Sequence, residues 1–205
     1  MEVEVIDWKK TRDFAKKLQI IYVSSQMLAK MCDLAASTIS EALSQDGYEI
    51  QANILAVISY ITRIPIDYLL LTSDDEVPSL GEIKDKYIIP DRPIRNMADL
   101  VEWEIGKGDI NGRTEINPLS RQSYLSQCRR IIITDMPIDW IRVRARLADM
   151  RSNDKRLQMF DDDAFEKRIK RACQPVDKIV SVEVLYYFSQ ITGIPIYQLL
   201  QYKGF

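Results

Sequence analysis

The chain has 205 residues, 46% hydrophobic and 28% charged, with a formal net charge of −2, enough for one large domain or two small ones with a connector. It has no histidine, and Cys32, Cys128 and Cys173 form no C-x-x-C pair. This excludes a histidine-bearing zinc site, a Cys-His pair and a Ser-His-Asp triad, and the cysteines read as packing residues.

The first predicted helix starts at Trp8, with Asp7 as its cap. It keeps Trp8, Phe14, Ala15, Leu18 and Ile21 on one broad face and Lys9, Lys10, Arg12, Lys16 and Lys17 largely on the rest. Ser24 or Ser25 then caps a helix through "QMLAKMC". The stretch "DLA" breaks it, and "ASTISEAL" starts another. Leu28, Ala29, Leu34, Ile39 and Ala42 or Leu43 are the inward positions, with Ala29 small where the two helices cross. A further helix, "NILAVISYIT", is predicted to stop before Ile64-Pro65, and Pro65 opens a short last helix carrying Leu69 and Leu70.

Residues 73–135 read as a connector with about two helices. "TSDDEVPSLG" is an acidic break and "KDKYIIPDRPIRN" is irregular. "MADLVEWEIGKG" is a helix ended by Gly106 or Gly108, and "PLSRQSYLSQCRRIIIT" is a second helix. Leu100, Val101, Trp103, Leu125, Ile131 and Ile132 are too apolar for a loose tether, so the segment is expected to pack on one or both of its neighbours.

The remainder repeats the beginning. "ITGIPIYQLL" at 191–200 matches "ITRIPIDYLL" at 61–70 in seven of ten positions. Upstream, "PIDWIR" around Trp140 matches "VIDWKK" around Trp8, and the offset falls from 132 at the tryptophan to 130 at the proline. A unit of about 65 residues is therefore present twice, roughly at 6–72 and 138–202, as a domain duplication. In the second copy the first helix reads "WIRVRARLADM", with Trp140, Ile141, Val143, Leu147 and Met150 among Arg142, Arg144 and Arg146. Both tryptophans are read as core or domain-interface anchors. At the 130 offset, "DDAFEKRIKRAC" lies over "CDLAASTISEAL". Phe165 and Ile169 take inward places, while Lys167, Arg168, Lys170 and Arg171 replace Ser37, Thr38, Ser40 and Glu41 on the outside. Asp161, Asp162 and Asp163 suit the helix start by capping and dipole, and they also repel an approaching polyanion.

The pattern Leu28-Ala29, Leu34, Ser37-Thr38-Ile39-Ser40, with a closing helix bearing Leu69-Leu70, resembles the lambda-repressor/Cro family of helix-turn-helix domains. The family's turn glycine falls on Asp33 and its frequent backbone-contacting glutamine on Ser25. The resemblance covers about 6–72 directly and 138–202 through the repeat. It implies an all-α protein: a first helix-turn-helix domain at 1–72, a mostly helical connector at 73–135 and a diverged helix-turn-helix-like second copy at 136–205. It also implies a recognition helix presenting Ala36, Ser37, Thr38, Ser40, Glu41 and Ser44 to DNA. That helix has no cation, so a phosphate clamp falls to Lys30 and to Lys9, Lys10, Arg12, Lys16 and Lys17. The second copy has the opposite balance, with four cations where a phosphate- or guanine-reading helix would carry them. Residues 1–72 hold seven cations against nine anions, and residues 136–205 hold twelve against nine.

The expected function is double-stranded DNA binding by two tandem units, as in a transcriptional regulator of phage-repressor or mobile-element type. One chain would grip two unlike half-sites, or two chains would form a homodimer through the connector. The alternative is a protein-interaction module on the same scaffold, binding a polymerase subunit, a repressor or a host factor. Catalysis is not expected, since the chain has neither a glycine-rich phosphate loop nor a clear carboxylate pair, and no cofactor or metal is implied. No run of about 18 apolar residues exists, and the N-terminus lacks a basic segment before an apolar stretch, so neither a membrane span nor a signal peptide is expected and the cytoplasm is the default.

Overall fold

A computed structural model describes residues 5–46, 49–87, 89–100, 102–103, 138–158 and 162–200. Among these residues the chain is helical, and isolated backbone bridges join Ile6 to Thr72 and Val23 to Ile94. The first bridge, Ile6 with Thr72, closes the first unit on itself. Its neighbours reinforce it: the Asp7 N–H donates to Leu71 O at 2.7 Å, and the Leu71 N–H donates to the Thr11 hydroxyl at 3.0 Å.

Asp7 caps α1 (Trp8–Tyr22) by accepting from Lys9 and Lys10 N–H, each at 3.0 Å. Ser24 caps α2 (Ser25–Cys32) through Met27 N–H. Asp33 then takes the left-handed conformation (φ 52, ψ 47), which a short polar side chain tolerates better than most. The Leu34 N–H returns to Ala29 O at 2.9 Å, so the turn consumes a carbonyl that the helix end leaves open. α3 (Ala36–Ala42) follows, packed against α2 by Ile39 and Leu43, with Leu28 and Ala29 buried opposite and Leu34 half-buried. α4 (Ala52–Thr62) is buried along most of its length and closes the core with Phe14 and Leu18.

The recurring Ile-Thr-x-Ile-Pro signature is a stop built from three parts. The Thr62 hydroxyl donates to Ile58 O at 2.7 Å and accepts from Ile64 N–H at 3.5 Å. Arg63 is left-handed (φ 59), and Pro65 precedes α5 (Ile66–Leu69). The second copy repeats each part. Thr192 donates to Phe188 O and accepts from Ile194 N–H, Gly193 sits at φ 71, and Pro195 precedes the last helix. The helix therefore stops at the threonine, where the predicted stretch before Ile-Pro also ends.

In the connector, α6 (Leu80–Lys86) starts at the end of the predicted acidic break and runs into the stretch predicted to be irregular, so Lys84, Asp85 and Lys86 are helical instead. Ser79 accepts from Glu82 N–H while Glu82 accepts from Ser79 N–H, a complete capping box. Helical residues 97–100 and 102–103 fit the start of the expected helix, while its glycine stop and the second connector helix lie outside the described residues. This part of the connector packs on the first copy. Ile94 pairs with Val23, Leu100 is buried, and the Trp103 indole N–H donates to Ile61 O at 3.1 Å.

The second copy follows the same order: α7 (Trp140–Asn153), a 3-10 turn (Lys155–Gln158), α8 (Asp163–Ala172), α9 (Val182–Thr192) and α10 (Ile196–Leu199). Asp139 caps α7, and Asp162 caps α8 by accepting from Ala164 N–H. Among the described residues, the place of α2 holds a 3-10 turn. It keeps one buried knob, Leu157, at the position equivalent to Met27.

Arg12 and Arg144, at the same position of α1 and α7, are buried. The Arg12 guanidinium donates to Ala42 O at 3.3 Å and contacts Asp46 at 3.4 Å. Arg144 donates to Arg171 O at 2.6 Å, Lys178 O at 2.7 Å and Ile179 O at 3.2 Å. Each arginine thus holds the end of the third helix of its copy, and in the second copy also the loop behind it. Ile141, one of the apolar residues of this helix, is exposed. Arg144→Ala should remove three part-buried hydrogen bonds and the packing of a buried side chain, and cost roughly 1–3 kcal/mol. Urea denaturation measures the loss. Arg144→Lys should recover little of it, because one ammonium cannot span three carbonyls.

Candidate nucleic-acid interface

Ile39 and Leu43 point α3 inward, which leaves Ala36, Ser37, Ser40, Glu41 and Ser44 exposed and Thr38 half-buried on the flank. The face is hydroxyl-rich and carries one carboxylate and no cation. The Ser44 hydroxyl turns back to Ser40 O. Ser25 is exposed at the start of α2, and its hydroxyl accepts from the Gln19 amide at 3.2 Å. Lys30 is exposed farther along the same helix.

The expected clamp on α1 is largely dismantled. Arg12 is 2% exposed and anchors the end of α3, so it cannot reach a ligand. The Lys10 ammonium donates to Ser73 O at 2.6 Å and Asp75 O at 2.7 Å, and Lys17 donates to Pro78 O at 3.5 Å. These two lysines fasten the connector rather than face solvent together. Of the six expected clamp cations of the first copy, Lys9, Lys16 and Lys30 remain exposed.

In the second copy, Ile169 and Ala172 define the buried side of α8, with Phe165 half-buried beside them. Helical geometry places Lys167, Lys170 and Arg171 opposite, and all three are exposed. Lys170 makes an i,i+4 pair with Glu166 at 2.7 Å, and Glu166 also meets Arg151 at 3.5 Å. Arg168 departs from the expected set. It stands on the flank facing the first copy and meets Glu183 at 2.6 Å and Glu49 at 3.3 Å. The outer face of α8 thus carries three cations, with Asp163 at its N-terminal end.

Arg168 belongs to the junction between the copies. Glu49, in the first copy, accepts from Val182 and Glu183 N–H at the start of α9. The Trp8 indole N–H donates to Glu183 at 3.2 Å, which makes this tryptophan an interface anchor. Asp67 accepts from Ile196 N–H at 2.7 Å and Tyr197 N–H at 3.3 Å, so the first signature caps the last helix of the second. Residues 67 and 197 are equivalent positions. Contact between equivalents is the mark of a two-fold rather than a head-to-tail arrangement. No sequence pattern marks the Glu49 and Asp67 contacts, because their donors are backbone N–H groups some 130 residues from the carboxylates.

Cys32 is buried, and burial pushes its thiol up to about 12; Cys173 is half-buried and its thiol is also raised by burial. Both fit packing roles, and Cys128 lies outside the described residues. Among the described residues no acidic or thiol cluster is arranged to hold a metal, and no helix is long and apolar enough to cross a membrane. Comparison with known proteins finds no matching family model, no matching curated protein and no matching solved structure.

Burial pushes the Glu49 carboxyl up, and the nearby Glu183 charge pushes it further, against the pull of two backbone N–H groups and Arg168. Folding therefore favours its protonated form. That contribution is complete below the ordinary glutamate range and is lost as pH rises through the raised folded value. Relative to Glu49→Gln, the native chain should gain melting temperature as pH falls from neutral through that range. A pH-independent difference between paired thermal melts would show that the carboxyl is not held this way.

Proposed function

We propose that the protein binds duplex DNA, with the outer face of α8 as its principal phosphate contact and α3 as a weaker reader with few charges. The observation that carries this reading is the grouping of Lys167, Lys170 and Arg171 opposite the buried side of α8. That helix occupies the same place in its copy as α3 does after its turn. The resemblance of the first copy to lambda-repressor/Cro domains supports the reading and extends it to regulation of transcription. The arrangement suits an asymmetric site, because one reader offers cations and the other offers hydroxyls and Glu41. Lys9, Lys16 and Lys30 are the remaining candidates for clamping the backbone beside α3.

One observation favours a second reading, a protein-binding scaffold. The exposed face of α3 has no cation, and Lys10, Lys17 and Arg12 are engaged within the chain. A duplex would find little attraction there, whereas a protein surface offering hydrogen bonds would not be repelled.

Anisotropy titrations with a mixed-sequence duplex at increasing salt separate the two. The intact chain should bind at low salt, and the affinity should fall with a slope of roughly 0.9 per neutralised phosphate. Replacing Lys167, Lys170 and Arg171 by alanine should flatten the slope by roughly that amount for each cation that had paired with a phosphate. Absence of salt-dependent binding by the intact chain would reject the DNA reading in favour of a protein partner.

A further inference from the structure

Arg168 holds the position of Thr38 in the repeat, on the flank of the α8 cationic face. Its guanidinium is drawn sideways by two carboxylates, Glu183 at 2.6 Å and Glu49 at 3.3 Å, and one of its nitrogens also reaches the Ser181 hydroxyl at 3.3 Å. The same carboxylates hold the junction together. Glu49 covers the first N–H groups of α9, and Glu183 accepts from Trp8. Two negative charges therefore share one positive charge at a half-buried seam. Withdrawing that cation would leave Glu49 and Glu183 facing each other with less compensation. Arg168 is still 42% exposed along its side chain, so a phosphate approaching the outer face of α8 can reach it.

Building on the DNA reading, we propose that Arg168 is a gated phosphate contact. The docked copies keep it on Glu49 and Glu183, and a duplex on α8 competes for it, so that DNA binding and docking of the two copies oppose each other. Coupling of this kind is reciprocal: whatever frees Arg168 tightens DNA binding, and DNA binding loosens the seam. In the docked chain α8 offers Lys167, Lys170 and Arg171; in the released chain it offers four cations. The gate regulates the affinity of the α8 face without a separate effector site.

The test uses the full chain, a mixed-sequence duplex and hydrogen exchange at the first turn of α9. Glu49→Gln with Glu183→Gln keeps oxygen acceptors for the α9 N–H groups and for Trp8 but removes both charges from Arg168. This variant should bind the duplex more tightly, with a salt slope steeper by roughly 0.9, and adding Arg168→Ala should cancel the gain. Glu183→Gln alone serves if the double variant folds poorly, and it should shift affinity in the same direction. In the native chain the duplex should accelerate exchange at Val182 and Glu183. Unchanged affinity and slope in the glutamine variants, while alanine at Lys167, Lys170 and Arg171 still weakens binding, would overturn the gate and leave the DNA reading standing. If no protein binds DNA in a salt-dependent way, the DNA reading fails. The seam is then judged by Arg168→Ala alone: faster exchange at Val182 and Glu183 supports Arg168 as its clasp, and unchanged exchange overturns it.

Discussion

A guanidinium buried against backbone carbonyls underlies both halves of the molecule. Arg12 and Arg144 are buried, and each donates to a carbonyl at the end of the third helix of its copy, where the last carbonyls of a helix have no partner in the next turn. Five fixed donors on one planar group reach across 27 to 35 residues of chain, so one side chain ties the first helix to the third and, in the second copy, to the loop behind it. The outward display of α3 and α8 depends on that tie. With the ends of these helices anchored, Ile39 and Ile169 set their rotation, and the exposed face follows from 3.6 residues per turn.

The parts of the fold visible in the sequence are those governed by local chemistry. Asp7, Asp139, Ser24 and the left-handed Asp33 act within a few residues of themselves, and the duplicated Ile-Thr-x-Ile-Pro signature marks the same stop twice. Arg12 escapes such reading because an arginine among lysines on an amphipathic helix looks solvated. The signal that recovers it is the repeat itself, which keeps arginine four residues after each tryptophan while the neighbouring lysines are not kept. The Ser79-x-x-Glu82 capping box is equally legible and is masked by the acidic, proline-containing context around it. The 3-10 turn in place of α2 is hidden because one buried Leu157 supplies too little periodicity to distinguish one turn from two.

The candidate interface is half readable for the same reason. Helical spacing separates Lys167, Lys170 and Arg171 from Ile169 without knowledge of any neighbour. It cannot reveal that Arg168, one step round the helix, has two carboxylates waiting on another part of the chain. Lys10 and Lys17 are likewise misjudged from sequence, because their partners are carbonyls of the connector rather than charges. The exposed charge of a duplicated protein is therefore set partly by what the other copy does to it.

Asp67 and Tyr197 occupy equivalent positions and lie against each other across the seam. In a dimer of two identical first copies the same geometry would set aspartate against aspartate, and the repulsion would work against assembly. Joining the copies in one chain lifts the requirement that a residue near the axis be compatible with itself. Aspartate on one side can then cap a helix whose own side has become tyrosine. The seam is thereby asymmetric: the second copy meets Asp67 without a like charge, and another first copy would meet it with one. Divergence at one near-axial position thus favours pairing within a single chain over pairing of identical copies.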